Sequence, residues 1–299
     1  MPTTYAASVS PSVTETISGG TVSAVDYIVI IAMENQNYGS VIGSPFAPFI
    51  NSLLGSPYFG ATIPSYHGAY PGSSAGSYTA VVSGNTYGVS NGVSYGSINA
   101  LTIVDGFEAV RRTWRVLQES SSPIGNSAWL SGSFRGPDHN GFTQFSTVTD
   151  NPARAANLIL GDAQQVNPNS LLSLIRSPSP PNFLWYTPND TNNTHDPSNN
   201  VPVAVADGDS YLSSFVPQIL SAPVFQQGRA LLMLWWDELD PAPNVFVGAR
   251  VKPGFVSQAT NLGHYSTLRF IENLWGIQPL SNGPNYCCGD IRALPLDIL

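Results

Sequence analysis

The chain has 299 residues, of which 10% are charged, with 11 Lys+Arg against 19 Asp+Glu and a net charge of −8. With no basic block to neutralise a phosphate backbone, nucleic acid is not expected as a partner. No run of 18 uncharged apolar residues occurs, so no transmembrane segment is expected.

Residues 1–24, rich in Ser and Thr and without helical period, read as a flexible N-terminal segment, the remnant or linker of a lost export signal. Residues 25–299 then form a single domain. Apolar runs mark strands at Asp26–Met33, Thr113–Leu117, Asn182–Thr187 and Ala230–Trp236. They are continuous rather than alternating, the pattern of strands buried on both faces. Apolar residues at three- and four-residue spacing predict helices at Pro45–Leu54, Ala75–Ser83, Ile103–Arg112, Pro152–Leu160, Tyr211–Leu220 and Tyr265–Trp275. Strands alternating with helices predict an α/β fold, a mainly parallel central sheet between two helix layers. The Gly/Ser/Asn/Pro segments Ser83–Ala100 and Thr187–Val203 are expected on the surface over the strand ends. Lys252 is the single lysine, and charge depletion with abundant Ser, Thr, Asn, Gly and Tyr suggests a secreted or extracellular protein. The adjacent Cys287 and Cys288 cannot join distant segments; a vicinal disulfide is open to them, but idle or buried thiols is the first reading.

Three strands end alike. The first runs into Glu34-Asn35, the third into Asn189-Asp190 with His195-Asp196 following, and the fourth into Asp237-Glu238. Ligands of open α/β sheets bind beyond the carboxyl ends of the strands, so these oxygen donors converge, and a divalent cation would gather them. An all-oxygen shell suits Ca, Mg or Mn; participation of His195 or His264 would favour Zn. Gly72–Gly84 reads as a Gly/Ser turn opening a helix, where Ser74 meets the positive end of the dipole and could act as a metal-activated nucleophile.

These blocks resemble a known family. Met33-Glu34-Asn35-Gln36-Asn37-Tyr38 resembles the MENxxY opening of the phosphoesterase family, which holds acid phosphatases and phospholipases C. Ile103–Glu119, Asp138–Phe142 with Asn151–Arg154, Asn182–Asp196, Trp236–Glu238 and Gly263–Arg269 resemble its later blocks in the same order. The resemblance implies the alkaline-phosphatase-like α/β/α sandwich with a nucleophile at Ser74. It implies metal ligands at Glu34, Asn35, Asp237 and Glu238. It sets Asn189, Asp196 and Ser77 at the phosphate, with His195 and His264 facing the phosphoryl group or the leaving alcohol. Gly72 and Ser77 replace the family's His and Asn, and Asn193 replaces an Asp, so one metal is expected and a second left open. The expected function is a secreted phosphatase of small phosphate esters. The alternatives are a phospholipase C on a phospholipid head group, with Phe134, Phe142, Trp185 and Trp236 lining an acyl groove, or a non-catalytic surface or carbohydrate-binding protein. The chain ends about twenty residues after the His264 helix, which favours the phosphatase. His139 reads as a turn residue, His67 as a surface histidine, and Arg111, Arg112 and Arg115 as a solvated face.

Overall fold

Seven consecutive residues, Tyr27–Met33, form strand β1, and all but the first are buried. A run with no polar alternation needs cover on both faces, which places β1 inside the sheet. The computed structural model describes residues 25–119, 136–164, 168–280 and 289–299. The expectations for residues 1–24, Phe134, Cys287 and Cys288 lie outside these.

Strands β2 (Tyr66–His67), β3 (Trp114–Gln118), β4 (Leu158–Leu160), β5 (Phe183–Thr187), β6 (Ala230–Trp236), β7 (Asn244–Gly248) and β8 (Leu262–Gly263) follow. Six of them form one sheet in the order β4-β3-β5-β1-β6-β7, parallel except for β7 against β6. β2 and β8 make a separate parallel pair. Every residue of β5 and β6 is buried. The helices gather in two groups: Ser74–Ser83 and Ile103–Ala109 against His264–Trp275, and Pro48–Ser52 against Val201–Leu220. Helix layers on both faces of a mainly parallel sheet are the α/β/α sandwich expected from the strand pattern. Register then fixes the site: Met33 pairs with Trp236, so Glu34 and Asp237 leave the sheet side by side.

Several expectations need correction. The predicted helix over Pro152–Leu160 stops at Ala155, and Leu158–Leu160 instead pairs with Val116–Gln118 as β4. An apolar Leu-Ile-Leu triplet serves either element, and the open edge of β3 decides between them. The antiparallel β7 was not anticipated because Pro241 and Pro243 break the pattern just ahead of it. The helix expected at Tyr211 begins at Val201, with Pro202 tolerated in its first turn. It packs against part of the segment expected at the surface, for Asn193, Thr194 and His195 are buried. Gly208 permits this approach, since a Cβ there would lie 2.2 Å from Thr194 Cγ2.

Of the arginine cluster, Arg111 is exposed as expected, but Arg112 is not part of a solvated face. Arg112 lies 3.4 Å from Asp26 Oδ1 and 5.1 Å over the Trp275 ring, while Arg229 Nε donates to Asp26 Oδ2 at 2.9 Å. Phe142, Trp185 and Trp236 are at most 1% exposed and form core, so they cannot line an acyl groove.

Candidate active site

The helix Ser74–Ser83 is capped by Ser73, whose hydroxyl accepts from Gly76 N–H at 3.1 Å. Gly84, in the left-handed region at φ 75°, ends it. Ser74 is therefore the first helical residue. It is buried, and its hydroxyl lies 3.4 Å from Glu34 Oε2 and 3.2 Å from Glu238 Oε1. Four residues on, and so on the same side of the helix, Tyr78 donates its hydroxyl to Glu34 Oε1. One helix thus sets the hydroxyl of Ser74 and the orientation of Glu34.

Asn35 follows Glu34 in the left-handed region at φ 45°, and its backbone N–H donates to Asp237 Oδ1 at 3.1 Å. One terminal atom of its carboxamide lies 3.3 Å from Asp237 Oδ1, 3.3 Å from Glu34 Oε2 and 2.9 Å from Glu238 Oε1; the other lies 3.2 Å from His195 Nε2. With nitrogen in the first position the amide donates into three carboxylates. With oxygen there, four oxygen ligands converge. Neighbouring oxygens around an octahedral ion at about 2.1–2.4 Å are about 3.0–3.4 Å apart, close to these separations. Asp237 Oδ2 and Glu238 Oε2 are buried without a hydrogen-bond partner. The donor set Glu34, Asn35, Asp237 and Glu238, with Ser74 beside it, therefore fits a hard divalent cation.

The electrostatics point the same way. Burial, and then the charge of Asp237, hold the Glu34 carboxyl well above the usual carboxylate range. The same two causes push Glu238 up to about 7, against the hydrogen bond from Ser74. Acids crowded in this way resist ionisation unless a cation joins them.

The second wall is the turn after β5. Glu34 N–H donates to Asn193 O at 2.8 Å, Thr194 Oγ1 to Glu34 O at 2.8 Å, and Gln36 Nε2 to Thr194 O at 2.8 Å. These bonds carry His195 to Asn35. Asp196 Oδ1 lies 2.8 Å from His195 Nδ1. Asp190, His195 and Asp196 offer ligand atoms that all lie within 4.8 Å of one another, a second gathering with metal-binding chemistry. Glu119, at the end of β3, accepts from Asn189 N–H at 2.9 Å and from Asn192 Nδ2, and so anchors this turn.

Not every expected residue faces the cluster. Asn189 Oδ1 accepts from Thr191 and Asn192 N–H, both at 3.1 Å, and closes its own turn. Ser77 Oγ turns to Tyr70 O at 3.4 Å. Asp196 turns its Oδ1 to His195 Nδ1 and orients that ring instead. His264 Nδ1 accepts from Ala69 N–H at 3.1 Å, and its Nε2 faces Trp236 O at 3.3 Å. Burial lowers this histidine to about 4, which keeps the ring neutral between the two backbone groups. These contacts occupy both nitrogens and suit a brace better than a proton donor.

Residues passed over by the sequence reading also take part. His139, read as a turn residue, is buried and stacked on Tyr78, with Nε2 3.5 Å from Glu34 Oε2 and Nδ1 3.3 Å from Asp190 Oδ1. Asn91 reaches from the Ser83–Ala100 segment to the start of the Ser74 helix and accepts from Ala75 N–H at 3.1 Å. The position of Tyr78 at Ser74+4 was a usable signal; nothing local marks Asn91. His67 lies at the rim, 3.3 Å from Asp240 and 46% exposed, in keeping with a surface histidine.

A sequence model of the phosphoesterase family matches residues 59–278. The chain is 26% identical over 259 residues to the phosphatidylinositol-3-phosphatase of Mycobacterium tuberculosis, covering 84% of this chain and 77% of that protein. Its fold is similar to that of an alkaline phosphatase superfamily protein from Vibrio parahaemolyticus, with a TM-score of 0.55 at 12% identity, covering 85% of this chain and 67% of the other. It is also similar to murine ectonucleotide pyrophosphatase/phosphodiesterase 5 in complex with AMP, with a TM-score of 0.52 at 7% identity over 86% and 97% of the two chains. No helix among the described residues is long and apolar enough to cross a membrane.

Proposed function

The chain belongs to the phosphoesterase family and is a phosphoric ester hydrolase, and from that premise we propose a secreted, metal-dependent phosphomonoesterase of acid-phosphatase type with Ser74 as nucleophile. One observation carries this reading: the hydroxyl of Ser74, at the head of a buried helix, lies 3.4 and 3.2 Å from two acids of an oxygen cluster built for a cation. When bound, a divalent ion held by Glu34, Asn35, Asp237 and Glu238 supplies Lewis-acid stabilisation of charge on serine and phosphoryl oxygens.

The residues of the chain account for the remainder. Glu238 Oε1, 3.2 Å away, is the nearest acceptor for the Ser74 hydroxyl proton. Ser74 Oγ bonds to phosphorus as the ester P–O bond breaks, and the alcohol departs with a proton. Glu238, having taken the serine proton, stands in the position to return it to the alcohol, while His195, its ring oriented by Asp196, faces the carboxamide of Asn35. Water then attacks the phosphoserine, releasing phosphate and restoring the serine. A monoester substrate is supported by the phosphatase relative, and the buried Phe142, Trp185 and Trp236 speak against the acyl groove of a phospholipase C. Secretion is supported by the single lysine and the low charged fraction of 10%.

Metal analysis with p-nitrophenyl phosphate turnover of the wild type and Ser74→Ala tests the reading. We expect a stoichiometric divalent ion, activity abolished by chelation, and a loss of about 10³-fold or more in Ser74→Ala with an unchanged melting temperature. Full activity in the variant would remove the nucleophile.

A further inference from the structure

A cleft of about 490 Å³ opens beside the reaction centre, bounded by Asn37, Pro71, Gly72, Glu238, Leu239 and Asp240. It is continuous with the site, since Glu238 contacts Ser74 and Gly72 stands two residues ahead of that serine. Taking the phosphatase reading as its basis, we infer that this cleft holds the leaving alcohol and that its chemistry selects monophosphate esters of uncharged, partly apolar alcohols over esters bearing a second anionic group.

Of the polar side chains of the wall, Glu238 belongs to the acidic cluster, and Asn37 and Asp240 are committed elsewhere. Asn37 Nδ2 donates to the carbonyls of Leu239 and Asp240 at 3.3 and 3.2 Å, and its Oδ1 accepts from Gly39 N–H at 3.1 Å. Asp240 accepts from Gly68 N–H at 2.6 Å and faces His67 Nδ1 at 3.3 Å. What remains for a ligand is the Pro71 ring, the open backbone of Gly72, where an added Cβ would meet nothing within 4 Å, and the Leu239 side chain, 53% exposed. An exposed leucine held by a left-handed backbone (φ 66°) at the mouth of a catalytic cleft fits an apolar contact with substrate.

Charge sets the second half of the preference. Among the described residues, neither lysine nor arginine lines this cleft. Arg112 and Arg229 are held by Asp26 at the other end of β1, Arg154 by Asp105 and Glu108, and Lys252 by the Asp297 carbonyl. The reacting phosphoryl group finds its cation among the four metal ligands, but a second anion on the alcohol would meet the Asp240 carboxylate, which His67 alone faces, with no lysine or arginine among the described residues of the lining to receive it. Like charges at such separations in a partly dehydrated cleft repel substantially.

Phenyl phosphate and 4-carboxyphenyl phosphate test this with the full chain and its divalent ion, because they share a ring and differ by one carboxylate. The carboxylated phenol is no poorer a leaving group, so a deficit belongs to recognition. We expect kcat/KM for 4-carboxyphenyl phosphate to be at least about tenfold lower, and Leu239→Lys, an exposed substitution, to narrow that ratio to about twofold or less. Equal turnover of the two esters by the wild type, or an unchanged ratio in Leu239→Lys, overturns the assignment of the cleft while leaving the phosphatase intact. Turnover of neither ester above the Ser74→Ala background overturns the phosphatase reading and the cleft with it.

Discussion

The two ends of β1 carry the same kind of residue in opposite circumstances. At its start, Asp26 is matched by Arg112 and Arg229. At its end, Glu34 is fully buried against Asp237, with Tyr78 as its hydrogen-bond donor, His139 Nε2 3.5 Å away and, among the described residues, no arginine or lysine beside it. A carboxylate with its counter-charge built in stabilises the fold and has nothing left to bind. A group of carboxylates without one costs stability and is ready for a cation. The difference separates a structural acid from a functional one more clearly than burial does, because both are buried.

Removing one charge from the unmatched end gives the largest effect. Asp237→Asn should lower phosphatase activity by at least about 10²-fold, while raising the melting temperature measured in chelator, since a buried repulsion is relieved. A melting temperature that falls instead would mean that the acids are compensated by contacts within the chain. The matched end should behave in the opposite way. Asp26→Ala should cost about 1–3 kcal/mol in denaturant unfolding, because it strands two arginines, with kcat/KM changed by less than about twofold.

The smallest effect sharpens the comparison at a third place, where acids crowd with no role in chemistry. Glu272 and Asp290 are fully buried, and Leu280 N–H donates to both, at 3.1 and 2.9 Å. Burial, then the neighbouring Asp290, pushes Glu272 up to about 9, so the folded protein keeps a proton that the unfolded chain releases near 4.5. That stability is complete below the unfolded value and drains away as pH rises toward the folded one. The melting temperature should therefore fall by several degrees from about pH 5 to about pH 9, and Glu272→Gln should flatten the decline. A slope identical in the variant would place the titration elsewhere.

The sheet centre was legible because buried parallel strands write themselves as unbroken apolar runs: β6 falls on Ala230–Trp236 as expected, and β1 and β5 within one residue. Edge elements were not. β4 has three residues and is created by pairing rather than composition, and β7 is hidden behind Pro241 and Pro243. At the site, Glu34, Asn35, Asp237 and Glu238 could be read as strand ends, because strand register brings such ends together without help from loops. Asn189, Ser77 and His264 were placed by matching blocks, and blocks carry no information on which way a side chain turns. His139 failed for the opposite reason: Asp-His-Asn-Gly is good turn chemistry, and the turn buries its histidine.

The contact between Gly208 and Thr194 has a consequence for engineering. The helix of Gly208 lies on the other side of the sheet from Ser74, yet a methyl group in place of one glycine hydrogen would fall 2.2 Å from Thr194, in the bend presenting His195. Bulk added at this spacer would move the bend, and His195 with it, from a position that touches neither Ser74 nor the acidic cluster.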